Sequence, residues 1–344
     1  MNGFSAYFSR QRPAMTAHPQ PGPSAPPPIP QSPLGPLGVV ASPPPVPVVK
    51  TEAVEVEAGE VEEADLLGPT GRPVPHLPIP PPLDKHGPAK VIALCNQKGG
   101  VGKTTTTISL GAALAELGRR VLLVDFDPQG SLSVGLGFNP HEIGLSVYNL
   151  LLERDVTLED VICKTNIAGM DLAPSNIDLS AAEVQLVQEV AREQALSRVL
   201  APAIADYDVV LIDCQPSLGL LTINALTAAD GVIVPLECEY FALRGVALLK
   251  DTIEKVGERL NPRLEILGLL GTMFDGRTLH GREVLKTLVD GWGDDVFHTV
   301  IRRTVKFSDS TVAGEPITSY APASPGAQAY RQLALEVLVR CHAV

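Results

Sequence analysis

The chain has 344 residues and a formal net charge of −12, enough length for one large domain or two small ones. That acidic balance argues against a generally basic nucleic-acid binder, while leaving room for a local basic patch. Its five cysteines are irregularly spaced with no CxxC, which indicates neither a disulfide scaffold nor a simple metal site and suits a reducing compartment.

The first 88 residues hold 22 of the 32 prolines, in runs such as Pro26-Pro27-Pro28 and Pro80-Pro81-Pro82, and an acidic patch from Glu52 to Asp65. With almost no periodic apolar pattern, residues 1–87 are expected to be a disordered, proline-rich and partly acidic tail. Such a tail reads as a spacer ahead of a ligand for a partner domain. The opening residues Met1–Tyr7 lack an apolar core of signal-peptide length. No apolar run approaches the roughly 20 residues that span a bilayer. A soluble cytoplasmic protein is expected.

Residues 88–344 suit one α/β domain. The apolar runs Val91–Cys95, Val121–Val124, Asp208–Ile212, Gly231–Val234 and Leu264–Met273 are continuous rather than alternating. That pattern marks strands buried on both faces of a parallel sheet. Helical patterns fall near 104–117, 179–200, 240–259, 281–291 and 326–341, with Gly118 as a C-terminal stop for the first. The βαβα order predicts an α/β, doubly wound, mostly parallel sheet with helices on both faces and ligands at the strands' carboxyl ends.

Between the first run and the first helix stands Lys98-Gly99-Gly100-Val101-Gly102-Lys103-Thr104-Thr105. Strand, glycine loop and helix are the context of a phosphate-binding P-loop. The glycines let N–H groups face an anion, and the helix N-terminus adds its partial positive charge. Lys103 is placed to reach the β/γ-phosphates, and the Thr104 hydroxyl to ligate Mg²⁺. Gln97 replaces the first glycine of the ordinary pattern, and Lys98 is a lysine more than a P-loop needs.

This run resembles the deviant Walker A motif of ParA/Soj partition ATPases, MinD-type ATPases and the nitrogenase iron protein. The resemblance implies ATP bound through residues 98–105, and a first lysine, here Lys98, that crosses a dimer interface to the partner's nucleotide. Val124-Asp125-Phe126-Asp127-Pro128-Gln129-Gly130 resembles the Walker A′ motif, which implies a hydrolytic role for Asp127 near the attacking water and the Mg²⁺ shell. For Asp125, a direct role and a structural one both stay open.

Val209–Asp213 forms a Walker B pattern, a buried strand delivering a carboxylate. Asp213 is expected to hold a metal-coordinated water, because Mg²⁺ keeps several of its waters. The sequel Cys214-Gln215-Pro216-Ser217-Leu218-Gly219 resembles the family's D-x-P-P-S-L-G, with Gln215 for a proline. That exchange is expected to alter loop stiffness more than chemistry. Cys214 reads as a packed thiol. Arg302 and Thr304 align with family positions that line the adenine pocket. Arg302, Arg303 and Lys306 form the dense basic cluster, and together with Arg277 they fall where ParA/Soj arginines contact DNA phosphates.

The resemblance thus implies an ATPase with ATP and Mg²⁺ as cofactors. It would form a homodimer on ATP, bind DNA nonspecifically on the nucleoid, and be reset when a ParB-like partner stimulates hydrolysis that is slow alone. The alternatives are a MinD-like membrane-cycling positioning ATPase and a ParA paralogue with a separate regulatory role; the first is the one the residues address. Against it, the 327–344 end has few basic residues and an apolar stripe of Tyr330, Leu333, Val337, Leu338 and Cys341, which reads as a core helix with no membrane partner. A cluster-bearing redox protein lacks suitable cysteine surroundings. A nucleotide binder without turnover is disfavoured by the joint presence of Lys103, Thr104, Asp127 and Asp213.

Overall fold

The computed structural model describes residues 67–239 and 242–341, with the side chains of 242–244 excepted. Seven strands form one sheet: β1 (Lys90–Leu94), β2 (Val121–Phe126), β3 (Cys163–Lys164), β4 (Met170–Ala173), β5 (Val209–Cys214), β6 (Gly231–Glu237) and β7 (Glu265–Thr272). Their spatial order is β3-β4-β2-β5-β1-β6-β7. All neighbours are parallel except the short β3, which runs antiparallel to β4.

The continuous apolar runs follow from burial on both faces. Along β1, Val91, Ala93 and Cys95 enter one core, and Ile92 and Leu94 enter the other. The same alternation splits Leu122, Val124 and Phe126 from Val121 and Leu123 in β2. It splits Val210 and Ile212 from Val209 and Leu211 in β5. With helices on either side, these central strands leave no face for water, and polar alternation disappears. One layer contains the helices Leu220–Ala228, Ala242–Arg259 and Leu279–Trp292. The other contains Lys103–Glu116 and Pro325–Arg340. The latter buries Tyr330, Leu333, Val337, Leu338 and Cys341, so the terminal stripe packs inward as its pattern implied.

Register sets up the chemistry. Leu94 pairs with Asp213 across β1 and β5, and Asp125 pairs with Asp213 across β2 and β5. The P-loop, the Asp125–Asp127 turn and Asp213 therefore leave the sheet on one rim.

Two expectations are corrected. The helix over 179–200 is broken into Leu179–Gln185, short 3₁₀ turns, and Ala195–Leu200. Val184, Val187 and Val190 are 73%, 53% and 88% exposed, so they supply no buried face to hold a continuous helix, and Ala191 turns left-handed at φ 54. The boundary at 88 also falls late. Arg72 donates to the carbonyls of Val296 (2.6 Å) and Gly293 (3.0 Å), and Arg119 donates to that of Pro81 (3.0 Å). Asp208 accepts from the Gly87 N–H at 3.0 Å and contacts the His86 ring at 2.8 Å. Prolines surrender N–H donors but keep their carbonyls, and Arg119 of the domain uses that of Pro81. Residues 67–87 are thus tied to the domain. The rest of the expected tail, 1–66, lies outside the described residues.

Candidate nucleotide site

The loop after β1 is pinned before it turns. Asn96 donates from its side-chain amide to the Pro235 carbonyl at 2.8 Å, and its side-chain oxygen accepts from the Lys98 N–H at 2.9 Å. Gly100 and Gly102 sit at φ +76 and +86, where a side chain is strained. Gly102 then opens the helix Lys103–Glu116 with no side-chain cap, leaving the first N–H groups turned toward the rim. Gly99 and Gly100 are exposed, whereas Val101 is buried and its carbonyl accepts from the Thr272 hydroxyl at 2.9 Å, tying the loop to β7.

The two lysines face opposite ways. Lys103 is only 6% exposed, with its ammonium 3.4 Å from the Lys98 carbonyl, curled along the loop. Lys98 has a side chain 42% exposed at the mouth. It reaches Glu237 Oε2 at 2.8 Å and Glu239 Oε2 at 3.1 Å. The Glu237 contact, opposed by partial burial and reinforced by Glu239, raises the Lys98 ammonium above its ordinary value.

Thr104 donates its hydroxyl to Asp213 Oδ2 at 2.7 Å, and Thr107 lies 3.4 Å from the other oxygen. Burial, with the negative charge of Asp125 and Asp127, pushes Asp213 up to about 8, against Thr104 and Lys103. Burial likewise lifts Asp125 to about 6, moderated by the Ser133 hydroxyl and N–H, which donate to it at 2.7 and 2.9 Å. Asp125 therefore fastens the helix Ser131–Gly135 to β2. Asp127 is half-buried beside it, accepting from the Gln129 N–H at 2.9 Å. The Thr104 hydroxyl beside Asp213, with Asp127 near, offers hard oxygens of the kind a small divalent cation prefers. Thr104 is the direct candidate ligand, with Asp127 and Asp213 behind it through water.

Next to the loop opens a cavity of about 410 Å³. Thr105 lines it from the P-loop helix, Met273 from the end of β7, and Arg302 and Thr304 from the following connection. Phe307 and Tyr330, in T-shaped contact at 5.8 Å, close one side. A flat aromatic base fits such a wall. The structure thus brings residues 99–105, Asp127, Asp213, Arg302 and Thr304 to one rim.

The basic residues are less uniform than their sequence density implied. Arg277 is held by Asp275 through two bonds of 2.9 and 2.8 Å. The bound guanidinium holds that carboxyl down at about 2. Arg303 pairs with Glu237 Oε1 at 3.0 Å. Arg302 and Lys306 are exposed, with no ion pair among the described residues, and Lys306 opens the helix Lys306–Ala313.

Sequence reasoning missed three features. Glu237 and Glu239, the partners of Lys98, follow a buried strand, and that position was their available signal. Phe307 and Tyr330 come from distant elements and meet only in the fold. Gln215 does more than soften its loop: its amide donates to Glu183 Oε1 at 2.9 Å, a bond no proline can make. Cys214 is a buried thiol 2.9 Å from Cys95, packed as expected.

A family described as an AAA domain matches residues 89–266. An uncharacterized protein of Mycobacterium tuberculosis is 61% identical over 274 residues, covering 80% of this chain and 86% of that one. Soj of Bacillus subtilis, a sporulation initiation inhibitor protein, is 47% identical over 248 residues, covering 72% of this chain and 98% of its own length. The chain belongs to the ParA/Soj family of P-loop ATPases. A solved structure of cobyrinic acid a,c-diamide synthase from Mycobacterium smegmatis, with bound ATP analog and magnesium, is 48% identical with a TM-score of 0.64. It covers 72% of this chain and 93% of that one. This ParA/Soj member carries Lys98, Lys103, Asp127 and Asp213 at the rim described above.

Proposed function

We propose that this chain binds ATP with Mg²⁺, dimerises around two nucleotides, and in that form binds DNA without sequence preference, to be reset by hydrolysis. The reading rests on the opposed lysines: Lys103 buried and folded into the loop, Lys98 exposed beside it. An inward lysine serves its own nucleotide. An exposed one beside the P-loop, held only by the Glu237 and Glu239 carboxylates at its edge, is placed to turn toward a second molecule. The similar M. smegmatis structure with ATP analog and magnesium supports the cofactor assignment.

In the bound state the N–H groups of 99–105 and the Lys103 ammonium neutralise phosphate charge. The 302–307 wall receives the base. The cation supplies further charge neutralisation at the phosphates. Asp127 orients the attacking water, and Lys98 of one protomer adds positive charge at its partner's site. A ParB-like partner raises an otherwise slow rate, and the protein works in the cytoplasm on the nucleoid as a segregation or positioning ATPase. Among the described residues no helix is long and apolar enough to cross a membrane, and the inward packing of Pro325–Arg340 favours DNA over a membrane surface. Light scattering of the full chain with and without ATP tests this reading: a shift to dimer supports it, and a monomer at saturating ATP refutes it.

A further inference from the structure

Glu237 ends β6 with its side chain only 13% exposed, and each of its oxygens has a different cation. Oε2 takes Lys98 at 2.8 Å, from the P-loop, and Oε1 takes Arg303 at 3.0 Å, from the wall of the nucleobase cavity. Glu239 adds a second, more exposed contact to Lys98 at 3.1 Å. The lysine that faces out is therefore not loose. It is held by carboxylates of its own chain.

We propose that Glu237 is a positioning residue that keeps Lys98 within its own subunit, with Arg303 competing for the same carboxylate. The inference rests on the proposed role of Lys98 across a dimer, because a lysine anchored at home must let go before it reaches a partner's phosphates. The charges set the direction of each effect. Removing the Glu237 charge leaves Lys98 with the exposed Glu239 alone and eases its release. Removing Arg303 takes a positive charge away from Glu237, so Lys98 is held more firmly. The two substitutions thus act with opposite sign on one ammonium, which a general loosening of the loop would not produce. Half-exposed ion pairs are modest in strength, so each change is expected at about two- to five-fold. The wall of the nucleobase cavity and the outward lysine share this one carboxylate, so the state of the cavity bears on how tightly Lys98 is held.

The test uses the full chain and two readouts. In the first, an amine-acylating reagent labels the nucleotide-free protein, and Lys98 modification is measured by mass spectrometry against Lys286 as internal standard. Glu237→Gln should raise Lys98 labelling about two- to five-fold, and Arg303→Gln should lower it. Unchanged labelling in Glu237→Gln, or a rise in Arg303→Gln, overturns the proposal. In the second, the ATP concentration that half-dimerises the protein is measured by light scattering. Glu237→Gln should lower it, and Glu237→Gln/Lys98→Ala should stay monomeric, as Lys98→Ala does. A wild-type chain that never dimerises defeats the proposed function, while the labelling still decides the hold on Lys98. A wild type that dimerises beside a Glu237→Gln variant needing equal or more ATP defeats the inference alone.

Discussion

Thr104 and Asp213 meet at 2.7 Å, the hydroxyl donating to the carboxylate, and join the P-loop helix to the end of β5. The pair stands over Asp125, Asp213's register partner on β2, so two carboxyls share one dry place.

That crowding makes stability depend on pH. Folded Asp213 keeps its proton up to about pH 8, while an unfolded aspartate releases it near about 3.9. Between those values the folded state binds more protons, so stability falls as pH rises. Asp125, raised to about 6, adds only to the lower part of that window. The interval from pH 6 to 8 thus belongs to Asp213, with a slope of at most about 1.4 kcal/mol per unit. Thermal melts in chelator without nucleotide should show it, and Asp213→Asn should flatten it. A wild-type midpoint that is level from pH 6 to 8 contradicts the assignment. Added Mg²⁺ needs the ionised form and should protect more at pH 8 than at pH 6.

The two lysines should separate by phenotype. Lys103→Ala removes the buried ammonium and should lose nucleotide binding. Lys98→Ala leaves the loop's N–H groups in place and should bind ATP as a monomer, with dimerisation lost and turnover down by about 10³–10⁵. Nucleotide titration and phosphate release measure both. Full turnover in Lys98→Ala removes the role across the interface.

Asp127 carries its prediction through geometry. It is half-buried, its carboxylate accepts only from the Gln129 N–H among the described residues, and so that side chain holds up little of the fold compared with Asp125. Asp127→Ala should fold, bind ATP, and accumulate as a slowly hydrolysing dimer in size-exclusion chromatography. A variant that remains monomeric at saturating ATP shows that Asp127 is needed earlier than hydrolysis.

The strands that carry the P-loop and Asp213 were legible because burial on both faces writes an uninterrupted apolar run. β4 was not: its four residues, Met170-Asp171-Leu172-Ala173, include a charge that the fold satisfies through Lys164 and the Tyr207 hydroxyl. Short helices such as Val147–Leu152 and Ile317–Tyr320 are one turn or so long and hold by packing rather than by propensity. The P-loop is local in sequence and was read in place. The hold on Lys98 joins residues far apart in the chain, and no local pattern records that meeting.

Gln215 gives a test of the segment after β5. Its bond to Glu183 at 2.9 Å anchors the helix Leu179–Gln185, which otherwise holds by little more than buried Leu179 and Ala182 while Val184 stands in water. Gln215→Pro deletes the donor, and Glu183→Gln weakens the acceptor. Each should cost about 1 kcal/mol, and hydrogen exchange over 179–188 should rise more than exchange in the sheet. Equal protection in wild type and both variants shows that the bond does not hold the segment.

DNA binding puts the basic residues in order. Arg277 is already paired with Asp275 and Arg303 with Glu237, while Lys306 is exposed with no ion pair among the described residues. A phosphate must compete for the first two but not for Lys306. Arg302 also lines the cavity beside the P-loop, so Lys306 is the cleaner probe. With a net charge of −12, a monomer offering so few contacts should bind poorly. Two copies in an ATP dimer double them, and each neutralised phosphate adds about −0.9 to the salt slope. Binding should require ATP, show little sequence preference and collapse as salt rises. Lys306→Glu should weaken it and flatten the slope by roughly two units per dimer, with ATP-dependent dimerisation intact. Arg277→Glu should weaken it less. Gel shifts across a salt series, with and without ATP, decide the matter. Tight, salt-resistant binding by the nucleotide-free monomer contradicts the mechanism. A confirmed ATP dimer that ignores DNA returns weight to a membrane surface, which liposome sedimentation with ATP would then detect.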